Sequence, residues 1–295
     1  AAASLCITFS AILEEGDEVI ALAPYFPEYK VFVEKAGGMF RTVACRESDF
    51  QIDFDALEAA INEKTALIIV NSPNNPSGVV LTQDTIIRLA EILRSAQDRL
   101  GHPIYIVADE PYRELVYDNA TVAYIPQYYD NTIVCYSFSK SLSLPGERIG
   151  YIYVPSCAYR SHEILAAVAG AGRALGYVCA PSLFQRVAAA CLGHTADIDV
   201  YRHNRDRLYG ALTEYGFEAV HPDGAFYLFL KSPVEDALEF AEYAKKYELL
   251  MVPSDDFGIN GYVRISYCVA AETIERSLPA FRQLAMDYHL MEEDT

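Results

Sequence analysis

The chain has 295 residues, of which 52% are hydrophobic and 22% are charged, and its formal net charge is -18 at pH 7. This length and composition predict a globular protein with a sizeable core and two domains. Nucleic acid and anionic membranes are disfavoured as partners, because both repel an acidic surface. Seven scattered cysteines without a C-x-x-C pair indicate free thiols rather than disulfides or a metal site, so we expect a reducing, cytoplasmic location.

Helices and strands alternate along the first two thirds of the chain. In order, the patterns predict a helix over 4–14, a strand over 18–23, a helix over 29–36, a strand over 39–45, a helix from the cap at 53 to 62, a strand over 66–70, a helix over 82–100, and strands over 104–108, 132–136 and 149–154. Several of these strands are apolar throughout. The alternation therefore predicts an α/β fold, with a three-layer, mostly parallel sheet covered by helices on both faces.

The pattern changes near Asp197. A long helix leads to Gly216, short strands follow around 225–230 and 261–267, and helices are predicted over 234–247 and 272–287. We therefore expect a large domain over 1–196 and a smaller α+β domain over 197–295.

Polar clusters follow three of the predicted strands of the large domain. They occupy 71–78, 109–112 and 137–140, each just beyond an apolar run. In open parallel sheets, ligands bind outside the carboxyl ends of the strands. Three clusters at one edge of the sheet therefore predict a functional site.

Lys140 lies in a serine-rich turn directly after a buried strand, in S-F-S-K. Burial favours the neutral amine, which can condense with an aldehyde. Ser137, Ser139 and Arg148 could together hold a phosphate dianion, since arginine offers a planar fork of donors.

An aldehyde cofactor with a pyridine ring and a phosphate needs further groups. Asp109 can pair with the ring nitrogen, and Asn75 and Tyr112 can hydrogen-bond the phenolic oxygen. Phe26, in P-Y-F-P, offers an aromatic face for the ring.

Groups for the phosphate and for a substrate carboxylate are also present. The first helix offers free backbone N–H groups to a phosphate at Ala1, Ala2 and Ala3. Arg264, in V-R-I-S, can bind a substrate α-carboxylate with two parallel bonds. Arg173 is expected to be a salt-bridged surface residue rather than part of the site.

The motifs N-N-P-S-G, D-E-P-Y, S-F-S-K with Arg148 eight residues later, D-G-A-F-Y and V-R-I-S resemble those of the class I/II aminotransferases, the aspartate aminotransferase-like enzymes of fold type I. The resemblance covers essentially the whole chain. It implies pyridoxal 5'-phosphate as cofactor, amino acids and 2-oxo acids as substrates, and a homodimer.

The resemblance also implies roles for individual residues. These are Lys140 as the Schiff-base lysine and proton shuttle, Asp109 at the ring nitrogen, Asn75 and Tyr112 at the phenolic oxygen, Ser137 and Arg148 at the phosphate, Phe26 stacked on the ring, and Arg264 at the substrate carboxylate.

Two departures from the family pattern lead to expectations of their own. The family usually begins with a further N-terminal segment, and here Ala1 falls inside the phosphate loop. We therefore expect this chain alone to retain cofactor weakly and to transaminate negligibly. The turn before Arg264 reads P-S-D-D-F-G where P-G-x-x-F-G is common, so carboxylates are expected near that arginine.

Two other functions share the scaffold motifs. One is a β-lyase of the cystathionine type, and the other is a non-catalytic cofactor-sensing domain of a regulator. A nicotinamide dehydrogenase is disfavoured, because no G-x-G-x-x-G follows any predicted strand.

Overall fold

A computed structural model of the chain describes residues 1–292. The predicted large domain contains a sheet of six strands. They are β1 (Glu18–Ala23), β2 (Met39–Ala44), β3 (Thr65–Asn71), β4 (Tyr105–Asp109), β5 (Thr132–Ser137) and β6 (Gly150–Tyr153). Their order across the sheet is β2-β1-β3-β4-β5-β6. The strands β1 to β5 pair in parallel, and β6 pairs antiparallel with β5.

Helices cover both faces of this sheet. They are α1 (Ala2–Ile12), α2 (Glu28–Lys35), α3 (Phe54–Ala60), α4 (Gln83–Leu100), α5 (Phe138–Ser141), α6 (Ser161–Ala174) and α7 (Ser182–Ala190). Successive side chains of a strand point to opposite faces, and in β1 Val19 packs with α1 and α2 whereas Ile20 packs with α3 and α4. The predicted three-layer, mostly parallel arrangement is confirmed.

Local capping fixes several predicted helix starts. The Asp53 carboxylate accepts a hydrogen bond from the Ala56 N–H at 3.0 Å, and the Thr82 hydroxyl accepts one from the Thr85 N–H at 3.1 Å. Gly101 follows α4 with a φ of 76°, a left-handed conformation that glycine adopts without strain. The helices α6 and α7 lie in a stretch for which the sequence patterns predicted no element.

Gly150 allows β6 to lie against the end of β5. A Cβ atom at this position would be 2.2 Å from the Tyr136 carbonyl oxygen, so no other residue fits. Gly150 is the register partner of Ser137. The close approach therefore brings the chain after Arg148 next to the strand that leads into Lys140.

In the predicted small domain, three helices pack on a short antiparallel sheet. Its elements are α8 (Ile198–Glu214), β7 (Tyr227–Lys231), α9 (Ala237–Ala244), β8 (Val252–Pro253), β9 (Tyr262–Ser266) and α10 (Ala271–Asp287), with strand order β7-β9-β8. The helix α9 begins later than predicted, because the Asp236 carboxylate caps the N–H groups of Leu238 and Glu239. The last residues of the predicted small domain, 293–295, lie outside the described residues.

The two domains are joined by polar contacts. The Gly78 carbonyl accepts hydrogen bonds from the N–H groups of Asp223 and Gly224, at 3.0 and 2.9 Å. Arg205 of α8 is buried and pairs with Asp118 of the large domain at 2.6 Å. The two bonds to Gly78 hold the N-N-P-S-G loop against the small domain. Within residues 1–292, no helix is long and apolar enough to cross a lipid bilayer.

Candidate active site

Asp109 ends β4 with its side chain buried. The Tyr29 hydroxyl donates to its Oδ2 at 2.6 Å, whereas its buried Oδ1 has no hydrogen-bond partner among the described residues. Burial raises the pKa of Asp109 to about 6, although the Tyr29 hydrogen bond and the α-amino group of Ala1 lower it. A buried carboxylate oxygen without a donor is costly. It fits a ligand that brings a proton, such as a pyridinium nitrogen.

Tyr29 was not among the predicted site residues, and its spacing from Phe26 was the available signal. It follows Phe26 by three residues, and side chains three apart lie on the same side of a helical turn. The two rings meet edge to face, with centroids 5.6 Å apart and planes at 80°. The segment leading into α2 thus connects Phe26, the predicted ring-stacking residue, to Asp109.

Asn71, at the end of β3, ties two of the predicted clusters together. Its amide nitrogen donates to the Asp109 carbonyl at 2.8 Å, and its amide oxygen accepts from the Asn75 N–H at 2.8 Å. The N-N-P-S-G loop is thereby fixed to the strand that carries Asp109.

Lys140 lies in α5, a single helical turn at the position of the predicted serine-rich turn. Ser137 caps it, since its Oγ accepts the Ser139 N–H at 3.1 Å and its hydroxyl donates to the Ser139 Oγ at 2.7 Å. The Lys140 Nζ lies 5.0 Å from the centroid of the Phe226 ring and 5.8 Å from that of Tyr112. The amine is therefore directed toward two aromatic faces.

The pKa of Lys140 is lower than that of an ordinary lysine. Burial is the main cause, the positive charges of Arg148 and Arg264 lower the pKa further, and Cys268 opposes the shift. The lowered pKa favours the neutral, nucleophilic amine, as predicted from the sequence. It also shows that Lys140 lies within electrostatic range of both predicted anion-binding arginines.

A cavity of about 700 Å³ opens beside α5. Its lining includes six predicted phosphate-binding residues, namely Ala1, Ala2, Ala3, Ser137, Ser139 and Arg148. The first turn of α1, two hydroxyls and a guanidinium therefore face one space, which suits a phosphate. One nitrogen of Arg148 is engaged, because Nη1 donates to the Pro145 carbonyl at 2.7 Å.

Arg173 lines the same cavity. Its side chain is exposed, as expected, but it forms no ion pair with any residue of the described chain. The expected salt bridge is therefore not found within residues 1–292.

Arg264 lies on β9 and reaches across to the large domain. Its Nη1 donates to the Asn75 Oδ1 at 2.9 Å, and its guanidinium carbon lies 4.7 Å from the Tyr227 ring centroid. The carboxylates of Asp255 and Asp256 make no ion pair with it in the described part of the chain. The guanidinium thus retains donors for a substrate carboxylate.

Tyr112 makes a contact that the sequence did not predict. Its hydroxyl lies 2.9 Å from the hydroxyl of Tyr227, and both side chains are buried. Phe226 and Tyr227 belong to the D-G-A-F-Y motif, which carried the resemblance but was assigned no role. The motif was therefore the available signal in the sequence for these two site residues. Their positions beside Lys140 and Tyr112 are set by the tertiary fold.

The chain was compared with known families and structures. The model of the family "Aminotransferase class I and II" matches residues 1–281. A probable aspartate/prephenate aminotransferase of Thermus aquaticus is 33% identical over 280 residues, covering 93% of this chain and 71% of the relative. A probable aspartate aminotransferase of Methanocaldococcus jannaschii is 32% identical over 293 residues, covering 96% and 75%. A crystal structure of an aminotransferase from Eubacterium rectale superposes with a TM-score of 0.95 at 55% identity, covering 97% of this chain and 72% of that one.

The chain therefore belongs to the class I and II aminotransferases. It is a pyridoxal-phosphate-dependent transferase that moves an amino group from an amino acid to a 2-oxo acid. The predictions of family, fold, reaction and cofactor are confirmed. The β-lyase and the cofactor-sensing domain are not favoured by these relatives.

Proposed function

We propose that Asp109, Lys140 and Arg264 are the three central residues of the aminotransferase site. The observation that carries the proposal is the buried Asp109 Oδ1, which has no partner among residues 1–292. A protonated ring nitrogen would satisfy this oxygen. Arg148 and Arg264, whose positive charges both lower the pKa of Lys140, would then bind the phosphate and the substrate carboxylate respectively.

Pyridoxal phosphate supplies an aldehyde and a protonated ring that withdraws electrons from the substrate Cα. Asp109 would keep the ring nitrogen protonated, because a buried carboxylate stabilises a positive charge next to it. Lys140 would hold the cofactor through Nζ and, as a free amine, would accept the proton of the substrate Cα. The lowered pKa of Lys140 suits both tasks, since each requires the neutral amine.

The phosphate is proposed to lie in the 700 Å³ cavity. The N–H groups of Ala1, Ala2 and Ala3, the hydroxyls of Ser137 and Ser139 and the free nitrogens of Arg148 would hold it. Phe26 would lie against the ring, and Asn75 and Tyr112 would hold the phenolic oxygen.

Arg264 is proposed to hold the α-carboxylate of every substrate. Its present hydrogen bond to Asn75, at 2.9 Å, uses one donor of the guanidinium. A planar guanidinium can keep one donor on the amide and give two to the carboxylate. Relatives are named for aspartate, prephenate and aromatic amino acids, so aspartate and phenylalanine are the first amino donors to test.

We further propose a homodimer. Support comes from apolar side chains on and just after α7 that are exposed in the single chain, such as Leu183 at 64% and Leu192 at 67%. Leu183→Lys should lower the dimer fraction in sedimentation velocity, whereas Leu238→Lys, at an exposed site on α9, should not. Equal sedimentation of both variants and the parent chain would contradict a dimer interface at this face.

We also propose a cytoplasmic location and a domain boundary between residues 196 and 197. The seven cysteines, all within the described residues, are free thiols, which supports a reducing cytoplasm. Asp197 caps α8 by accepting the Asp199 N–H at 3.1 Å, which supports a boundary between residues 196 and 197.

Borohydride reduction with pyridoxal phosphate, followed by peptide mapping, tests the central assignment. The pyridoxyl group is expected on Lys140, and a label on another lysine would refute the role. Lys140→Ala should still bind cofactor non-covalently while turnover falls by at least about 10²–10⁴-fold, the typical contribution of a general base. Lys245→Ala, on the exposed side of the small domain, is the matched control.

A further inference from the structure

The small domain contacts the two residues proposed to hold the phenolic oxygen of the cofactor. Arg264 bonds to Asn75, and Tyr227 bonds to Tyr112 at 2.9 Å. Tyr112 and Tyr227 are 115 residues apart in sequence and come from different domains. Their rings meet edge to face, with centroids 5.8 Å apart and planes at 79°. The Tyr112–Tyr227 pair is therefore a packed, hydrogen-bonded contact in the interior rather than a surface approach.

We propose that Tyr227 is a positioning residue that donates a hydrogen bond to Tyr112 and so strengthens the hydrogen bond that Tyr112 gives to the cofactor. This inference rests on the proposed place of Tyr112 at the phenolic oxygen. It adds a residue to which neither the sequence nor the family comparison assigned a role.

The direction of the bond follows from the proton that each phenol carries. In the pair by itself, either hydroxyl could be the donor. Each phenol has one proton, and Tyr112 is proposed to give its proton to the phenolic oxygen of the cofactor. Tyr227 is therefore the donor to Tyr112 when the cofactor is bound.

A hydrogen bond received by a hydroxyl makes that hydroxyl a stronger donor, by roughly 10–30% per bond. The Tyr227 hydroxyl also fixes the rotation of the Tyr112 hydroxyl, because it occupies one of its acceptor directions. Since Tyr227 lies on β7 and its ring contacts Arg264 of β9, movement of the small domain would alter the donor strength of Tyr112.

The test is the pH midpoint of the absorbance of bound pyridoxal phosphate. A hydrogen-bond donor at the phenolic oxygen stabilises the negative charge on that oxygen. The bound chromophore therefore loses its proton at a lower pH. Tyr112→Phe is therefore expected to raise the midpoint by about one pH unit, the equivalent of one neutral hydrogen bond. Tyr227→Phe keeps the ring and is expected to raise it by roughly 0.2 unit or more.

A double-mutant cycle tests whether Tyr227 acts through Tyr112. The effect of Tyr227→Phe should vanish when Tyr112 is already phenylalanine. Tyr262→Phe is the matched control, because this tyrosine lies in the same small sheet but stacks on Phe229, with centroids 4.9 Å apart. It should leave the midpoint unchanged.

Three results overturn the inference. If Tyr112→Phe shifts the midpoint and Tyr227→Phe does not, the relay is wrong while the role of Tyr112 stands. If Tyr227→Phe acts equally in both backgrounds, Tyr227 does not act through Tyr112. If Tyr112→Phe has no effect, the assignment of Tyr112 and the relay both fail. Should Tyr227→Phe not fold, incorporation of fluorotyrosine at position 227, a stronger donor, must lower the midpoint instead.

Discussion

The hydrogen bond from Tyr29 to Asp109 provides the sharpest test of how this site is prepared for its cofactor. Tyr29→Phe removes the hydroxyl that donates to Oδ2 at 2.6 Å, but it keeps the ring that meets Phe26. The buried Asp109 carboxylate would then have no hydrogen-bond donor from a side chain of residues 1–292. We expect the pKa of Asp109 in the cofactor-free protein to rise.

The size of the rise follows from the structure. A hydrogen bond to a charged group contributes about 1.5–3 kcal/mol, and one pKa unit corresponds to about 1.36 kcal/mol. The pKa of Asp109, already about 6 because of burial, should therefore move to roughly 7–8 in the variant.

The same shift predicts how stability depends on pH. The pKa of Asp109 is raised from 3.8 to about 6 in the folded chain, so between these pH values the folded state binds a proton that the unfolded state has lost. The free energy of unfolding must then fall as the pH rises through this window, by about 3 kcal/mol. In Tyr29→Phe the decrease should continue to roughly pH 7–8.

Infrared difference spectroscopy of the cofactor-free protein can follow the protonated carboxyl band. Asp109→Asn identifies the band by removing it. Tyr25→Phe, in the same P-Y-F-P-E-Y segment but with its ring packed on Phe40, is the control. A titration midpoint in Tyr29→Phe equal to that of the parent chain would refute the reasoning.

Three further predictions follow from the site and the domain contacts. Asp109→Asn should lower kcat by at least about 10²-fold, because an amide cannot keep the ring nitrogen protonated, and a near-normal kcat in steady-state assays would contradict the role. Arg264→Lys should mainly raise KM for every amino acid, by about tenfold or more, since an ammonium cannot grip a carboxylate with two parallel bonds; a change in kcat alone would argue against it. Arg205→Leu should lower the free energy of unfolding by about 2–4 kcal/mol in urea titrations, whereas Arg207→Leu, at an exposed ion pair, should cost less than about 1 kcal/mol.

Local chemistry in the sequence was sufficient for the strands and the first four helices of the large domain, but not for α6 and α7. Apolar runs placed the strands of the central sheet to within one or two residues, and the side chains of Asp53 and Thr82 fixed helix starts. These features depend on neighbours in the chain, so the pattern carries them. The helix α9 was placed too early, because the sequence did not show that Asp236 would act as its cap.

The motifs determined the family and most of the proposed site. They place an imine-forming lysine, a carboxylate and an arginine in a fixed order along the chain. Only the tertiary structure decided how these residues are held. Tyr29 and Asp109 are 80 residues apart, Tyr112 and Tyr227 are 115 apart, and Asn75 and Arg264 are 189 apart. The last two contacts arise when two separately patterned domains pack against each other, and the first when α2 packs on the sheet of the large domain. No periodicity along the chain encodes which hydroxyl or amide will meet in such packing.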